Sequence, residues 1–104
     1  MKPISGIYLI TNKITGQQYI GQSVDCFRRY IEHCNRNKLL IDKIIKEFGR
    51  ENFSFKIIKR CPKCYLDIFE TYYIKKYNTF NCGYNEKINR KKEEIVDKIL
   101  QNKN

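Results

Sequence analysis

The sequence predicts an α+β domain: a small three-stranded antiparallel sheet flanked by helices, with an extra C-terminal amphipathic helix. Three observations point there. Two short apolar stretches near the N-terminus are joined by a turn-forming pentapeptide, a third alternating stretch follows at 53–58, and the segments between and after them repeat apolar residues at helical spacing. A chain of 104 residues holds one domain with a real core and is too short for two.

Residues 4–11 open the sheet. Ile4, Ile7, Tyr8, Leu9 and Ile10 place apolar groups on both faces, the pattern of a strand covered on both sides and central in its sheet. Asn12-Lys13-Ile14-Thr15-Gly16 carries turn chemistry, and Gln17–Gln22 forms the second, antiparallel strand of a hairpin. Ser23 or Asp25 then caps a helix running to about Asn35, with Phe27, Tyr30, Ile31 and Cys34 at helical spacing. A second helix covers about 38–48 and buries Leu40, Ile41, Ile44, Ile45 and Phe48, with Lys43, Lys46 and Glu47 off that stripe and Gly49 as its stop. Phe53–Ile58 reads as the third strand. Helix three spans about Tyr65–Tyr77 with Leu66, Phe69, Tyr73 and Tyr77 at core spacing, and a tight segment follows at Asn81–Asn85. The organisation expected is a main domain over 1–88 and an amphipathic helix within 89–104, with Ile95, Val96, Ile99 and Leu100 on one face.

Composition narrows the function. Lys and Arg number 21 against 11 Asp and Glu, a formal net charge of +10, with 41% hydrophobic residues. The apolar content and 13% aromatics argue against disorder, while the charge predicts polyanionic partners through Coulomb attraction and counterion release, with a solubilising surface as the plain alternative. The longest apolar runs are four residues, far short of a membrane span of roughly 18 or more. Met1-Lys2-Pro3-Ile4-Ser5 lacks the apolar core of a signal peptide, so an intracellular protein with no membrane partner is expected. Cys26, Cys34, Cys61, Cys64 and Cys82 are too few for a disulfide framework. Cys61-Pro62-Lys63-Cys64 admits packing thiols, half a zinc site or a redox dithiol, and ordinary thiols fit best because no further ligands sit at a recognised spacing.

Three features carry chemistry. With Tyr8 and Tyr19 near-opposite across the hairpin, alternation places Gly6, Tyr8, Tyr19 and Gly21 on one face, where hydroxyls project and no neighbouring side chain blocks approach. Arg29 and His33 are stacked four residues apart on the next helix, flanked by Arg28: an Arg to hold a phosphate and a His to move a proton. Glu70 lies on or beside the apolar stripe of helix three, where a carboxylate demands a partner, either a basic side chain or a metal ion. A single acid suits a hard cation such as Mg²⁺, completed by waters and a phosphate.

Gly6-Ile7-Tyr8, followed after ten residues by Tyr19-Ile20-Gly21, resembles the double signature of the GIY-YIG nuclease superfamily. The likeness continues through Arg29, His33, Phe48-Gly49-Arg50-Glu51-Asn52-Phe53, Glu70 and Gly83-Tyr84-Asn85, and is nearest to the homing-endonuclease-like branch. The resemblance implies an endonuclease that uses Mg²⁺ or Mn²⁺, one ion per site, to hydrolyse DNA phosphodiesters. Carried over by position, Tyr8 accepts the proton of the attacking water or orients it, and Tyr19 helps position water or phosphate. Arg29 binds the scissile phosphate, with His33 assisting Tyr8 or the phosphate contact. Glu70 ligates the metal and Asn85 supports the site. Tyrosine titrates near 10, so it serves as a base only if cations lower its pKa or if it passes the proton onward. Many relatives append a DNA-binding domain, and nothing here is long enough to be one. Target specificity is therefore expected to be low, directed by DNA structure or supplied by a partner, with the tail that carries Lys87, Arg90, Lys91 and Lys92 offering added contacts or a homodimer surface. The competing reading is a non-catalytic nucleic-acid-binding module of the same fold.

Overall fold

The computed structural model describes residues 2–101; Met1 and the last three residues of the expected 89–104 segment lie outside them. Three strands, β1 (Gly6–Asn12), β2 (Gln18–Ser23) and β3 (Phe53–Arg60), form one antiparallel sheet in the order β2-β1-β3. The helices are α1 (Cys26–Asn35), α2 (Leu40–Phe48), α3 (Leu66–Tyr77), α4 (Thr79–Cys82) and α5 (Arg90–Gln101). The expected α+β class and sheet are present, and α4 is an added helical turn that runs into the start of the segment expected to be tight at Asn81–Asn85.

The central strand behaves as its composition predicts: Ile7, Tyr8, Leu9 and Ile10 are all buried. Tyr8 and Ile10 pack with Ile41, Ile45 and Phe53 on the side covered by α1 and α2. Ile7 and Leu9 pack with Ile20, Leu66 and Ile74 on the side covered by α3. Each such side chain contributes roughly 1.5–3 kcal/mol of burial, so β1 anchors two cores at once. Between Ile7 and Tyr8 the pairing to β3 slips: Ile7 faces Lys59 while Tyr8 faces Ile57, leaving Ile58 as a bulge. Gly6 sits at the start of this irregularity, where a β-carbon would strike the Lys59 carbonyl oxygen.

Several faces differ from expectation. Asp25 is the cap of α1, its Oδ1 accepting from the Arg28 N–H at 3.3 Å, while Ser23 Oγ accepts from the Asp25 N–H. That start sets a helical phase that buries Cys26 and His33, so Phe27 and Ile31 are exposed rather than core. On α2 the buried residues are Ile41, Asp42 and Ile45, with Leu40 outside. On α3 Leu66, Thr71 and Ile74 are buried and Tyr77 is exposed. On α5 only Val96 is fully covered, Ile95 and Ile99 being exposed, because the helix leans mainly on α3. There Lys75 Nζ bridges Glu93 at 2.8 Å and Asp97 at 3.3 Å. Among the described residues no helix is long and apolar enough to cross a membrane.

Candidate active site

The hairpin register sets the tyrosines. Tyr8 lies opposite Gly21, and Tyr19 lies opposite Ile10, so the two tyrosines are diagonal neighbours rather than a facing pair. They still share a face, with ring centroids 6.4 Å apart. The glycine is what lets Tyr8 lie down: a β-carbon at Gly21 would fall inside the Tyr8 ring at its hydroxyl end.

The phase of α1 delivers His33 to that hydroxyl. Tyr8 Oη and His33 Nε2 are 2.7 Å apart, both residues buried. On the other side of the ring His33 Nδ1 is 2.7 Å from Asp42 Oδ1, and Asp42 Oδ2 accepts from the backbone N–H groups of Lys38 at 3.2 Å and Leu39 at 3.1 Å. Asp42 was not among the residues singled out from the sequence. Its signal was present, because an acid at the third position of a helix, flanked by Ile41 and Ile45, is placed to bond the free N-terminal amides. Burial would push the Asp42 carboxyl up, but the Leu39 amide, His33 and the Lys38 amide together hold it below the usual value. Burial also lowers the His33 pKa, against the opposing hydrogen bond from Asp42, and so favours the neutral ring.

Tyr8 and Tyr19 are both weak acids here. Burial drives Tyr8 well above 10, with Tyr19 and Glu70 adding to the rise and Arg29 opposing it. Tyr19 is pushed up to about 12, again by burial first and Glu70 second. Burial works against the Arg29 charge, yet Glu32 and the two tyrosines hold its pKa above the ordinary value. Its Nη1 donates to Glu32 Oε1 at 3.0 Å. Neighbouring Arg28 is largely exposed and only brushes Glu32 at 4.0 Å, so Arg29 is the arginine beside the tyrosines.

Glu70 comes from the opposite layer. Its Oε1 accepts from Gln22 Nε2 at 3.1 Å, the same amide that donates to Asp67 Oδ1 at 2.8 Å. Burial, aided by Asp67, raises its pKa, and no cationic side chain offsets the rise among the described residues. Glu70 lines a cleft of about 180 Å³ together with Tyr19, Leu39, Ile74, Asn85, Glu86 and Lys87. A half-buried carboxylate that makes no ion pair among the described residues, open to a cleft it shares with Glu86, fits a divalent cation. Among the described residues no three His, Cys, Asp or Glu side chains cluster, and Cys61 is buried while Cys64 is exposed, both free. A larger groove of about 450 Å³ between α3 and α5 is lined by Tyr65, Ile68, Phe69, Tyr73 and other apolar groups. Its lining includes no acid, base or cation and shares no residue with the Glu70 cleft.

Asn85 is placed differently from the others. Its Oδ1 accepts from the Ile20 N–H and its Nδ2 donates to the Ile20 carbonyl, both at 2.8 Å. The side chain thus completes the free edge of β2, as a neighbouring strand would. Tyr84 reinforces the seam: its N–H donates to the Gln18 carbonyl, and its hydroxyl accepts from Asn12 Nδ2 at 3.1 Å and donates to Gln17 at 3.2 Å. Tyr8, His33 and Arg29 are therefore gathered at one end of the hairpin, Tyr19 and Glu70 line the adjoining cleft, and Asn85 fixes the strand between them.

Residues 4–94 match the family model described as the GIY-YIG catalytic domain. The chain belongs to the GIY-YIG family. Its fold is similar to the catalytic domain of intron endonuclease I-TevI in a mutant form, with a TM-score of 0.73 and 23% identity over 83% of this chain and 96% of that one. The catalytic domain of homing endonuclease I-TevI is similar at a TM-score of 0.68 and 25% identity, over 78% of this chain and 96% of that one. No curated protein sequence matches the chain at a significant level. This GIY-YIG nuclease domain thus shares the architecture of a homing-endonuclease catalytic domain.

Proposed function

We propose that the domain is a divalent-metal-dependent DNA endonuclease that hydrolyses phosphodiester bonds, with the water activated through Tyr8. The observation that carries this reading is the buried 2.7 Å contact between Tyr8 Oη and His33 Nε2. A tyrosine whose pKa is raised by burial is a poor base by itself. Joined to a neutral histidine it becomes a relay: its oxygen takes the proton from water while its own proton moves to Nε2, so the phenol is never left as a buried anion. Tyr19, beside it on the same face, orients the water or a phosphate oxygen.

Arg29 supplies the positive charge facing the phosphate. Its contact with Glu32 uses one guanidinium nitrogen and leaves further donors for phosphate oxygens. A fixed cation of this kind acts on the charge that builds in the transition state, and removing one such donor typically costs about 10²–10³ in rate. Glu70 would hold the Mg²⁺ or Mn²⁺ ion. Bound there, the ion would act as a Lewis acid toward the phosphate oxygens. Asn85 keeps β2 in place beneath Tyr19, a supporting role. The net charge of +10 draws DNA to the surface.

Supercoiled plasmid incubated with purified protein and Mg²⁺ tests this directly. Wild type is expected to nick it, EDTA and Glu70→Ala to abolish nicking, and Arg29→Ala to slow it by about 10² or more. Equal nicking by wild type and Glu70→Ala would sink the site assignment. Salt-sensitive DNA binding without any cleavage would replace the nuclease by a binding module.

A further inference from the structure

We infer that Asp42 is a positioning residue that holds His33 as the Nδ1–H tautomer, so that the Nε2 lone pair faces Tyr8 and receives its proton. The inference deepens the proposed nuclease reading and rests on it for its kinetic consequences. Both Asp42 oxygens are committed. Oδ2 accepts from two backbone N–H groups, of Lys38 and Leu39, and Oδ1 faces His33 Nδ1 at 2.7 Å. A carboxylate flanked by two main-chain donors only accepts, and these bonds, together with His33, hold it anionic against the opposing effect of burial. The proton between Oδ1 and Nδ1 therefore belongs to the histidine.

The rest follows by elimination. A neutral imidazole carries one N–H, so with Nδ1 protonated Nε2 is bare, and at 2.7 Å from Tyr8 Oη it must accept the phenol proton. The reverse tautomer would set a bare Nδ1 against a carboxylate oxygen at 2.7 Å inside a dry core. That arrangement leaves two acceptors facing one another. With its proton turned toward His33, Tyr8 keeps its oxygen lone pairs free to accept, and the Arg29 guanidinium lies beside that oxygen. When His33 gains the Tyr8 proton, the resulting imidazolium lies against the Asp42 anion rather than uncompensated in the core.

Asp42→Asn tests this with little change of shape. The Lys38 and Leu39 N–H groups still require an acceptor, so the amide oxygen stays with them and the NH₂ is turned to His33. His33 must then accept at Nδ1 and carry its proton on Nε2, which can no longer take one from Tyr8. The chain has a single histidine, so its ring ¹⁵N signals need no assignment. At neutral pH, wild type should show a pyrrole-type Nδ1 and a pyridine-type Nε2, and Asp42→Asn should exchange the two. In nicking assays kcat should fall by about 10²–10⁴ with KM within about twofold. In a His33→Ala background the same substitution should change kcat less than about twofold, because Asp42 acts only through His33.

An Nε2-protonated ring in wild type overturns the inference, and that measurement stands even if the variant fails to fold. Reversed tautomer with wild-type kcat also overturns it. If wild type cuts no DNA, the nuclease reading falls, while the ring tautomer still decides what Asp42 does to His33.

Discussion

The two faces of the sheet treat charge in opposite ways. Under α1 and α2, Tyr8, His33 and Asp42 form a buried chain of hydrogen bonds in which the inner groups all find partners. From α3, Glu70 reaches the edge of β2 with one neutral amide as its hydrogen-bond donor and a cleft in front of it. The first arrangement is complete before any substrate arrives. The second is unfinished, and its missing positive charge is what a cation with a phosphate would supply. Proton transfer needs a fixed path, and fixed paths are built from packed side chains. On the proposed reading, charge neutralisation at the phosphate needs a site that stays open, which would account for an under-compensated carboxylate there.

The sharpest way to break the contrast is Gly21→Ala. A methyl group there would occupy the space of the Tyr8 hydroxyl end, with the β1–β2 pairing holding both backbones in place. Overpacking of this kind costs about 1–3 kcal/mol, and the ring can yield only by leaving His33. Denaturant unfolding should show that loss, and nicking should fall by more than the unfolded fraction explains. Wild-type stability in Gly21→Ala would mean Tyr8 does not lie over position 21.

A smaller effect, of opposite sign, is expected on the other face. Burial raises the Glu70 pKa, so the folded chain binds that proton more tightly than the unfolded one. Its contribution to stability therefore falls as pH rises through the window starting at the ordinary value near 4.5, and is lowest once the folded-state carboxyl has ionised. Glu70→Gln removes the penalty and should stabilise the apo protein at neutral pH by about 0.5–1 kcal/mol while ending cleavage. Added Mg²⁺ should raise the Tm of wild type and leave the variant unmoved. A less stable Glu70→Gln would show that the carboxylate is a structural partner rather than an open ligand.

These two faces were unequally legible in the sequence. The uninterrupted Ile7–Ile10 run announces a central strand because only a strand covered on both sides buries four consecutive apolar residues. Glu70 stood out because a charge beside an apolar stripe needs a reason. Asp42 offers the same signal, an acid between Ile41 and Ile45, yet its partner is nine positions away on another helix and emerges only when α1 and α2 are set side by side. Phe27 and Ile31 misled for a related reason. Periodicity gives the spacing of a stripe but not its phase, and the Asp25 cap turned the helix so that Cys26 and His33 point inward. The Asn85 role depends on the open edge of β2, a property of strand order and not of local pattern.

The finest distinction between the two faces is a titration. His33 is met by Tyr8 and Tyr19 from the sheet, Asp42 from α2, and Arg29 and Glu32 on its own helix. Burial outweighs the Asp42 bond, so the folded pKa lies below the ordinary 6.5. The unfolded chain then binds the proton more readily, and stability from this group is present above 6.5 and is lost as pH falls through the window beneath it. Following the lone histidine by NMR should give a midpoint below 6.5, and the acid limb of kcat should track it, because only a neutral ring accepts from Tyr8. A midpoint above 6.5 would make Asp42 the stronger influence, leave His33 charged near neutrality, and remove the relay from the buried face.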